Sequence, residues 1–586
     1  MQPVCHSRRA AFFFSRAARD FLSSHGILTM EQGVMTQQLT AHLSRLCRIG
    51  VVCMWILSVP GTAVLAQGTS GIPRLQKQGT AMQLVVHDTP FLILGGEPGN
   101  SSASDVHYMA SVWPKLRALR LNTVLMPVYW ELVEPREGRF GFALLDDLID
   151  SARTSGLKIV VLWFGSWKNS MSCYAPSWVK TNQERFPRSR TGDGKAIEIL
   201  TPFSDENRDA DSRAFAELMK HVRAIDGEKN TVAMIQVENE IGMIPEARDH
   251  CAEAEEAFAR QVPAELLAYI QKNKDSLSEE LRHAWGSTGM KTSGTWEQVF
   301  GGGPATDEIF MSWHFARYTD YVAQAGKKEY PLPMYVNAAL IRPGYNPGQY
   351  PSAGPLPHLM DVWRAAAPHI DFLAPDIYFP DFAGWLGKFD RDGNAMFVPE
   401  VDRRQSVANA FYAMARHNAM GYSPFSIESI DDPAHSQIGR GYDVLRQLTP
   451  LILGAQGTGS MAGFLLDGPA QTATITLGDY RFTVKHEYTW PYAVRAQADT
   501  PRYGGMIIMT AKDEFYIAGS GVVVTFQPSS GDGTNAGIAS MDEGVFVNGS
   551  WVAGRRMNGD EDHQGRHMYL PGGEYGIQKV HLYTYR

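Results

Sequence analysis

Cysteine is scarce in this 586-residue chain, five in all. No two of them form a C-x-x-C pair, which excludes a zinc ribbon, dithiol redox chemistry and a disulfide-stapled miniprotein. Positive charge is not in excess either. Against 54 Lys and Arg stand 62 Asp and Glu, a net charge of −8, so the electrostatic footprint of a nucleic-acid binder is missing. Internal repeats and low-complexity tracts are absent. The sequence has no H-E-x-x-H, no G-x-S-x-G in a strand-turn-helix context, and no Gly-rich phosphate loop after its first predicted strand. Gly454-Ala455-Gln456-Gly457-Thr458-Gly459 lacks the Lys-Ser/Thr of a phosphate loop and reads as a linker. No cofactor and no metal are therefore expected. His563 and His567 stand four apart beside Asp560, Glu561 and Asp562, but the Gly-rich surroundings read as an exposed loop, not a metal site. What is present is ordinary globular composition, 44% hydrophobic with 55 Gly and 33 Pro. The 13 Trp and 23 Tyr suit recognition of small, partly apolar ligands.

From Met35 the chain reads MTQQLTAHLSRLCRIG, with Arg45 and Arg48 ahead of the apolar run VVCMWILSV, then Pro60-Gly61 and the small-residue end Val64-Leu65-Ala66. This order of charge, short apolar run and small residues is that of a secretory signal peptide, and the run is too short to span a bilayer. Cleavage is expected after Ala66, giving a periplasmic or secreted protein with no stable membrane insertion. Met30 and Met35 are alternative starts. Only Cys173 and Cys251 then remain, and their spacing does not say whether they pair.

Eight short apolar runs follow, each trailed by a turn and a helical pattern: FLILGG (91–96), NTVLMPV (122–128), KIVVLWF (158–164), TVAMIQV (231–237), PMYVNAA (333–339), DFLAPDIY (371–378), AMFVPEV (395–401) and MGYSPFSIES (420–429). Continuous rather than alternating apolar character marks parallel strands buried on both faces. Eight such units predict a (β/α)8 TIM barrel over 67–440, with an insertion at about 243–308 after the fourth strand; a doubly wound open sheet is the competing architecture. After Ile430 the pattern alternates between apolar and polar residues across Gly/Asp/Asn/Ser turns, as in ATITLGDYRFTVKHEY (473–488). A C-terminal antiparallel β-sandwich or jelly-roll domain is expected over 441–586, its strands starting near 455.

Acids at the C-terminal ends of barrel strands face the active site of this fold. Strand four ends Gln236-Val237-Glu238-Asn239-Glu240 and strand seven Phe397-Val398-Pro399-Glu400. Two carboxyls across one barrel mouth can cleave a glycoside, one protonating the departing oxygen and one attacking or activating water. Glu238 alternates with its neighbours along an extended strand and reads as structural. Tyr378, ending strand six, could donate to Glu400. Trp130, Trp163, Trp167 and Trp178 could offer flat faces to sugar C–H surfaces.

Asn-Glu ending strand four with Glu ending strand seven resembles clan A of the retaining glycoside hydrolases. Within that clan Q-V-E-N-E at 236–240 resembles glycoside hydrolase family 35, the β-galactosidases, as does Trp130-Glu131-Leu132-Val133-Glu134-Pro135-Arg136-Glu137-Gly138-Arg139-Phe140, which fits that family's W-x-x-x-E-P-x-x-G-x-aromatic pattern. Pro176-Ser177-Trp178 is similar to its Pro-x-Trp after strand three. The resemblance implies Glu240 as general acid/base, Glu400 as nucleophile and Asn239 as the donor to the sugar 2-hydroxyl. It implies an exo-acting enzyme that releases terminal β-D-galactose from an oligo- or polysaccharide, a plant cell-wall saccharide being one candidate source. The chain departs from the family where Asn230-Thr231-Val232 replaces Gly-Gly-Pro, where Ile241 replaces an aromatic, and where Trp163-Phe164-Gly165-Ser166-Trp167 lacks the acid that grips galactose. Glu97, ending strand one, is the candidate for that missing acid. A clan A β-glucosidase or β-mannosidase, or a non-catalytic carbohydrate-binding protein, are the competing functions.

Overall fold

Runs without a polar face can only be strands covered on both sides. Eight of them are: β1 (Ile93–Leu94), β2 (Thr123–Tyr129), β3 (Lys158–Lys168), β4 (Val232–Asn239), β5 (Met334–Ala338), β6 (Phe372–Ile377), β7 (Val398–Asp402) and β8 (Gly421–Phe425). The computed structural model describes residues 71–586 except 340, 342, 406, 468–470 and 487–501, so the expected leader and its cleavage site lie outside the described residues. The eight strands form one parallel sheet in the order β1-β8-β7-β6-β5-β4-β3-β2. Its two ends meet. Asn122 N donates to Leu94 O at 3.1 Å and Leu125 N to Gly96 O at 3.0 Å. The Asn122 side chain adds a second link, accepting from Leu94 N and donating to Leu92 O. The sheet is thus a TIM barrel, as the sequence predicts.

Each strand is followed by its helix: α1 (Val106–Ala118), α2 (Ala143–Thr154), α3 (Asp205–Asp226), α4 (Pro304–Glu329), α5 (Met360–Ala366), α6 (Phe382–Phe389), α7 (Ala408–Arg416) and α8 (Gln437–Ala455). Their apolar stripes repeat at helical spacing; α2, for example, buries Leu145, Leu148, Ile149 and Ala152 against the barrel. The insertion after β4 carries four short helices, Ala252–Ala259, Ala264–Lys272, Glu279–Ser287 and Trp296–Phe300. It ends at Gly303, whose φ of +105° permits the turn into Pro304, the first residue of α4. Cys251, buried, and Cys173, exposed, are both free thiols. Ahead of β1, three antiparallel strands at 74–91 sit against the far end of α8, where Gln83 Nε2 donates to Leu453 O at 2.8 Å.

Helix α8 is continuous across the expected domain boundary at 440, and the next strand begins at Met461. Beyond it the chain forms two antiparallel sheets, one of six strands and one of four. Phe464, Phe482, Phe515, Val524 and Met568 pack between them in a core of their own. The other face of the six-stranded sheet, through Met506, Ile508, Tyr516 and Ala518, joins the barrel's core. Close approach there needs a residue without a side chain: a Cβ on Gly463 would stand 2.9 Å from Arg416 N and 3.0 Å from Tyr412 O of α7. His567 and Asp562 correct the expectation of an exposed loop. Both are buried, and burial lowers the His567 imidazole to about 4. Among the described residues no cluster of His, Cys, Asp or Glu could hold a metal ion.

Candidate active site

The site begins with an irregularity in β3. Trp163 pairs with Val237 of β4, yet the next partner pair is Lys168 with Asn239, so β3 advances five residues while β4 advances two. The slack is taken up by residues 164–167, which leave the ladder. Two buried acids hold them there. Asp211 of α3 accepts from Trp163 Nε1 at 2.9 Å and from Ser166 N at 3.2 Å, and Glu238 accepts from Trp167 N at 2.7 Å. Gly165 lies between these groups, where a Cβ would meet Trp163 Nε1 at 2.3 Å and Asp211 Oδ1 and Glu238 Oε1 at 2.8 Å. Gly165→Ala is therefore expected to cost about 1–3 kcal/mol through overpacking, read as a lower urea midpoint; an unchanged midpoint would show that the bulge is not tight.

Glu238 lies behind the sheet, and burial together with the Asp211 charge pushes its carboxyl well above the usual range. Its structural placement agrees with the sequence reading, but strand alternation is not the cause. Glu238 has φ +61° and Glu240 φ +45°, so the chain leaves extended geometry at both. Other groups fix this strained end. Glu240 N donates to Asn337 Oδ1 of β5 at 3.0 Å, and Ser170 N donates to Glu240 O at 3.0 Å.

Four carboxyls gather at this end of the barrel: Glu97 just after β1, Glu240 after β4, Asp376 of β6 and Glu400 of β7, none more than 6% exposed. Asp376 and Glu400 are register partners in adjacent strands. Asn337 links the group, donating through Nδ2 to Asp376 Oδ2 at 2.7 Å while its Oδ1 takes the Glu240 amide. Glu240 accepts from the Asn169 amide and faces the Asp376 carboxyl, and Glu400 Oε1 accepts from the Tyr378 hydroxyl. Lys168 Nζ donates to Asn239 Oδ1 at 2.9 Å. Several polar atoms here are buried without a protein partner: Glu97 Oε1, Asn239 Nδ2, Tyr335 Oη, Asp376 Oδ1 and Glu400 Oε2. Such atoms are costly unless something else meets them, as a polyhydroxylated ligand can.

Burial, then the Glu400 charge, raises the Glu240 carboxyl to about 7, with Lys168, Asn169 and Asp376 opposing. Burial and the neighbouring carboxylates hold Glu97 and Asp376 well above the usual range. Acids raised on folding stabilise the protein below their unfolded pKa, about 4.3 for Glu, and that stability is lost as pH rises through the folded value. Glu97→Gln removes one such loss. Relative to wild type, the variant should gain up to about 1.4 kcal/mol per pH unit as pH rises above the unfolded value; urea titrations showing a pH-independent difference would contradict the raised Glu97.

The structure thus brings together Glu97, Asn239, Glu240, Tyr378 and Glu400 from the sequence reading. It does not bring in the tryptophans. Trp163 bonds Asp211 and packs on Phe215 of α3, at 5.7 Å between ring centroids. Trp167 packs edge-on against Tyr318 of α4 at 4.6 Å. Trp130 donates to Glu134 and meets Trp178 edge-on. Trp130, Trp163 and Trp167 are fully buried, so none offers a face to a sugar. Lys168, Asn337, Tyr335 and Asp376 escaped the sequence reading. Asp376 carried a signal, because it stands two residues before Tyr378 and so on the same strand face.

Residues 105–325, from α1 through most of α4, match the model of glycoside hydrolase family 42, described as β-galactosidase. Residues 438–569 match a domain of unknown function, DUF5597. The first match corrects the expectation from the motifs: the model that residues 105–325 match is that of family 42, not of the family 35 that the strand-end motifs resemble. Motifs of a few residues around a shared carboxyl pair are common ground within a clan, whereas a domain-length pattern separates its families. No curated protein matches the chain. Solved structures similar to it include the β-galactosidase of the psychrophilic Marinomonas ef1, at 13% identity over 62% of this chain and 60% of that one, TM-score 0.40. The cold-adapted β-galactosidase of Rahnella sp. R3 aligns at 16% identity over 62% of this chain and 57% of that one, TM-score 0.43. The catalytic domain of β-amylase from Paenibacillus polymyxa aligns at 13% identity over 58% and 94%, TM-score 0.41. The chain spans about 60% of the length of the first of these. The family-42 match lies within the closed barrel, across α1 to α4, and covers less than half of the chain.

Proposed function

We propose that this protein is a glycoside hydrolase, a retaining, exo-acting β-galactosidase in which Glu400 is the nucleophile and Glu240 the general acid/base. The observation that carries the reading is the asymmetry of the two carboxyls: Glu240 is raised to about 7 by burial beside Glu400, while Glu400 takes the Tyr378 hydroxyl on one oxygen and leaves Oε2 unpartnered. A free carboxylate oxygen can attack the anomeric carbon while a proton-bearing neighbour serves the leaving oxygen. In the first step the Glu400 oxygen–carbon bond forms as the glycosidic bond breaks and Glu240 gives its proton to the departing oxygen. In the second, Glu240 removes a proton from water, which displaces Glu400 and restores both groups. In this reading Asn239 Nδ2, buried without a partner, donates to the sugar 2-hydroxyl, a contact that strengthens at the oxocarbenium-like transition state. Galactose as the sugar rests on the family model's description.

A panel of 4-nitrophenyl glycosides, with NMR of the first-formed sugar, tests this. Preference for the β-galactoside with the β-anomer released first is the expected outcome. Faster cleavage of the glucoside or mannoside would replace the sugar, and first release of the α-anomer would make the enzyme inverting.

Export is part of the same proposal and rests on the charge, apolar run and small residues between Met35 and Ala66. Mature protein recovered from the periplasm or medium is expected to begin at Gln67; a cytoplasmic protein retaining the leader would refute it.

A further inference from the structure

Lys168 is an odd tenant for a sugar subsite. It is 4% exposed, it shares the barrel end with four carboxyls, and β3 takes residues 164–167 out of its ladder to place it opposite Asn239. An ammonium has donors only, so the atom of Asn239 that it meets at 2.9 Å has to be the amide oxygen. The amide nitrogen is then left over, and it is buried without a partner. The Phe164 ring, its centroid 5.2 Å from Nζ, offers the ammonium its face. From this geometry we infer that Lys168 is a positioning residue for glycoside cleavage: it locks the Asn239 amide so that Nδ2, and never Oδ1, faces the sugar 2-hydroxyl.

The inference rests on the reading of Asn239 as the partner of that hydroxyl. Without the lock the amide can turn over, and an oxygen placed where a donor is needed loses the transition-state contact. Lys168 has a second effect. Glu240 is faced by Glu400 from β7, Asp376 from β6, Glu97 from beyond β1, Asn337 from β5, and Asn169 and Lys168 from the β3 end. Lys168 is the positive member of that group, so its removal lets the Glu240 carboxyl climb further.

The test compares 4-nitrophenyl β-galactoside with its 2-deoxy analogue in wild type, Lys168→Met, Lys168→Gln and Lys168→Arg. Wild type should lose about 10³-fold in kcat/KM when the 2-hydroxyl is removed, the equivalent of several kcal/mol. Lys168→Met should lose about 100-fold on the parent glycoside, chiefly in kcat, but less than threefold on the 2-deoxy one. Its alkaline limb should move to higher pH. Lys168→Gln, which drops the charge with less change of shape, carries the same expectation should the Met variant not fold. Lys168→Arg keeps a cationic donor and should restore both the 2-hydroxyl preference to within tenfold and the wild-type limb. Equal losses on the two substrates, or an unmoved limb in both neutral variants, overturn the inference while leaving the β-galactosidase reading intact. Should wild type cleave another sugar instead, the same pair of substrates in that sugar runs the test, so failure of the galactose reading and failure of this one are told apart.

Discussion

Glu400→Gly is expected to reduce turnover of an activated aryl β-galactoside by at least about 10⁴-fold, and sodium azide to restore part of it as the α-galactosyl azide. The reason lies in the geometry around Glu400. Removing the carboxyl leaves a space on the face of the sugar opposite the leaving group, lined by the Tyr378 hydroxyl that now has no acceptor. A small anion can enter there and attack the anomeric carbon, while Glu240, still raised by burial though less so without the Glu400 charge, gives its proton to the departing oxygen at mildly acidic pH. Attack from that face inverts the anomeric configuration, and NMR of the glycosyl azide reads it directly. Azide product of retained configuration would move the nucleophile to another residue. Near wild-type turnover without azide would remove Glu400 from the chemistry and make the carbohydrate-binding alternative the better one.

The barrel was legible because burial on both faces writes itself as continuous apolar runs, and six of the eight strands end within two residues of theirs. The third, which outruns its apolar run, is instructive. The third run stops being apolar at Phe164, but β3 continues to Lys168 because Asp211 and Glu238 pin the bulge from behind. A bulge closed by residues 48 and 71 positions away has no local signature, so Lys168 could not be placed opposite Asn239 beforehand. The same acids explain the tryptophans. Trp163 could offer a face to a sugar from its strand end, yet its indole nitrogen satisfies Asp211 on the helix side. Aromatic residues near a strand end are legible as aromatic, but which side of the sheet they fill is decided by partners on other elements.

The carboxyl pair was legible for the opposite reason. Glu240 follows β4 and Glu400 lies in β7, two strands that β5 and β6 separate, and the C-terminal ends of barrel strands together form the mouth. Glu97 stood at a third strand end and joins the same cluster. Asp376 had the period-two relation to Tyr378 but no motif around it, and its closeness to Glu240 depends on Asn337, a residue of β5 that bridges both. The left-handed φ at Glu238 and Glu240 was invisible in sequence, since neither is a glycine and the strain is held by contacts from Asn337 and Ser170. The C-terminal sheets followed from alternation in their strands, yet nothing in that pattern foretold how the six-stranded sheet would meet α7. That depended on Gly463, whose missing Cβ lets the strand lie against the helix backbone.

The second large effect falls on Glu240→Gly, and it should depend on the leaving group as Glu400→Gly does not. A dinitrophenolate departs without a proton, so formation of the glycosyl-enzyme survives, within about tenfold of wild type in kcat/KM; a sugar or alkyl leaving group needs the acid, and its loss should be about 10²–10⁴-fold. Hydrolysis of the glycosyl-enzyme then becomes slow, because no base takes the proton from water. Azide needs no base. It should attack the covalent intermediate from the face that the leaving group vacated and give a product of retained configuration, the reverse of the Glu400→Gly result. The pH profile supplies an independent reading. Wild-type kcat/KM should fall above about 7 as Glu240 loses its proton, since the raised value sets where the acid form is lost. With the activated substrate the Gly variant should lack that fall, because no proton has to be delivered. Were the fall above pH 7 to persist unchanged in the variant, another group would be the acid, with Asp376, raised by burial and the neighbouring carboxylates, the candidate.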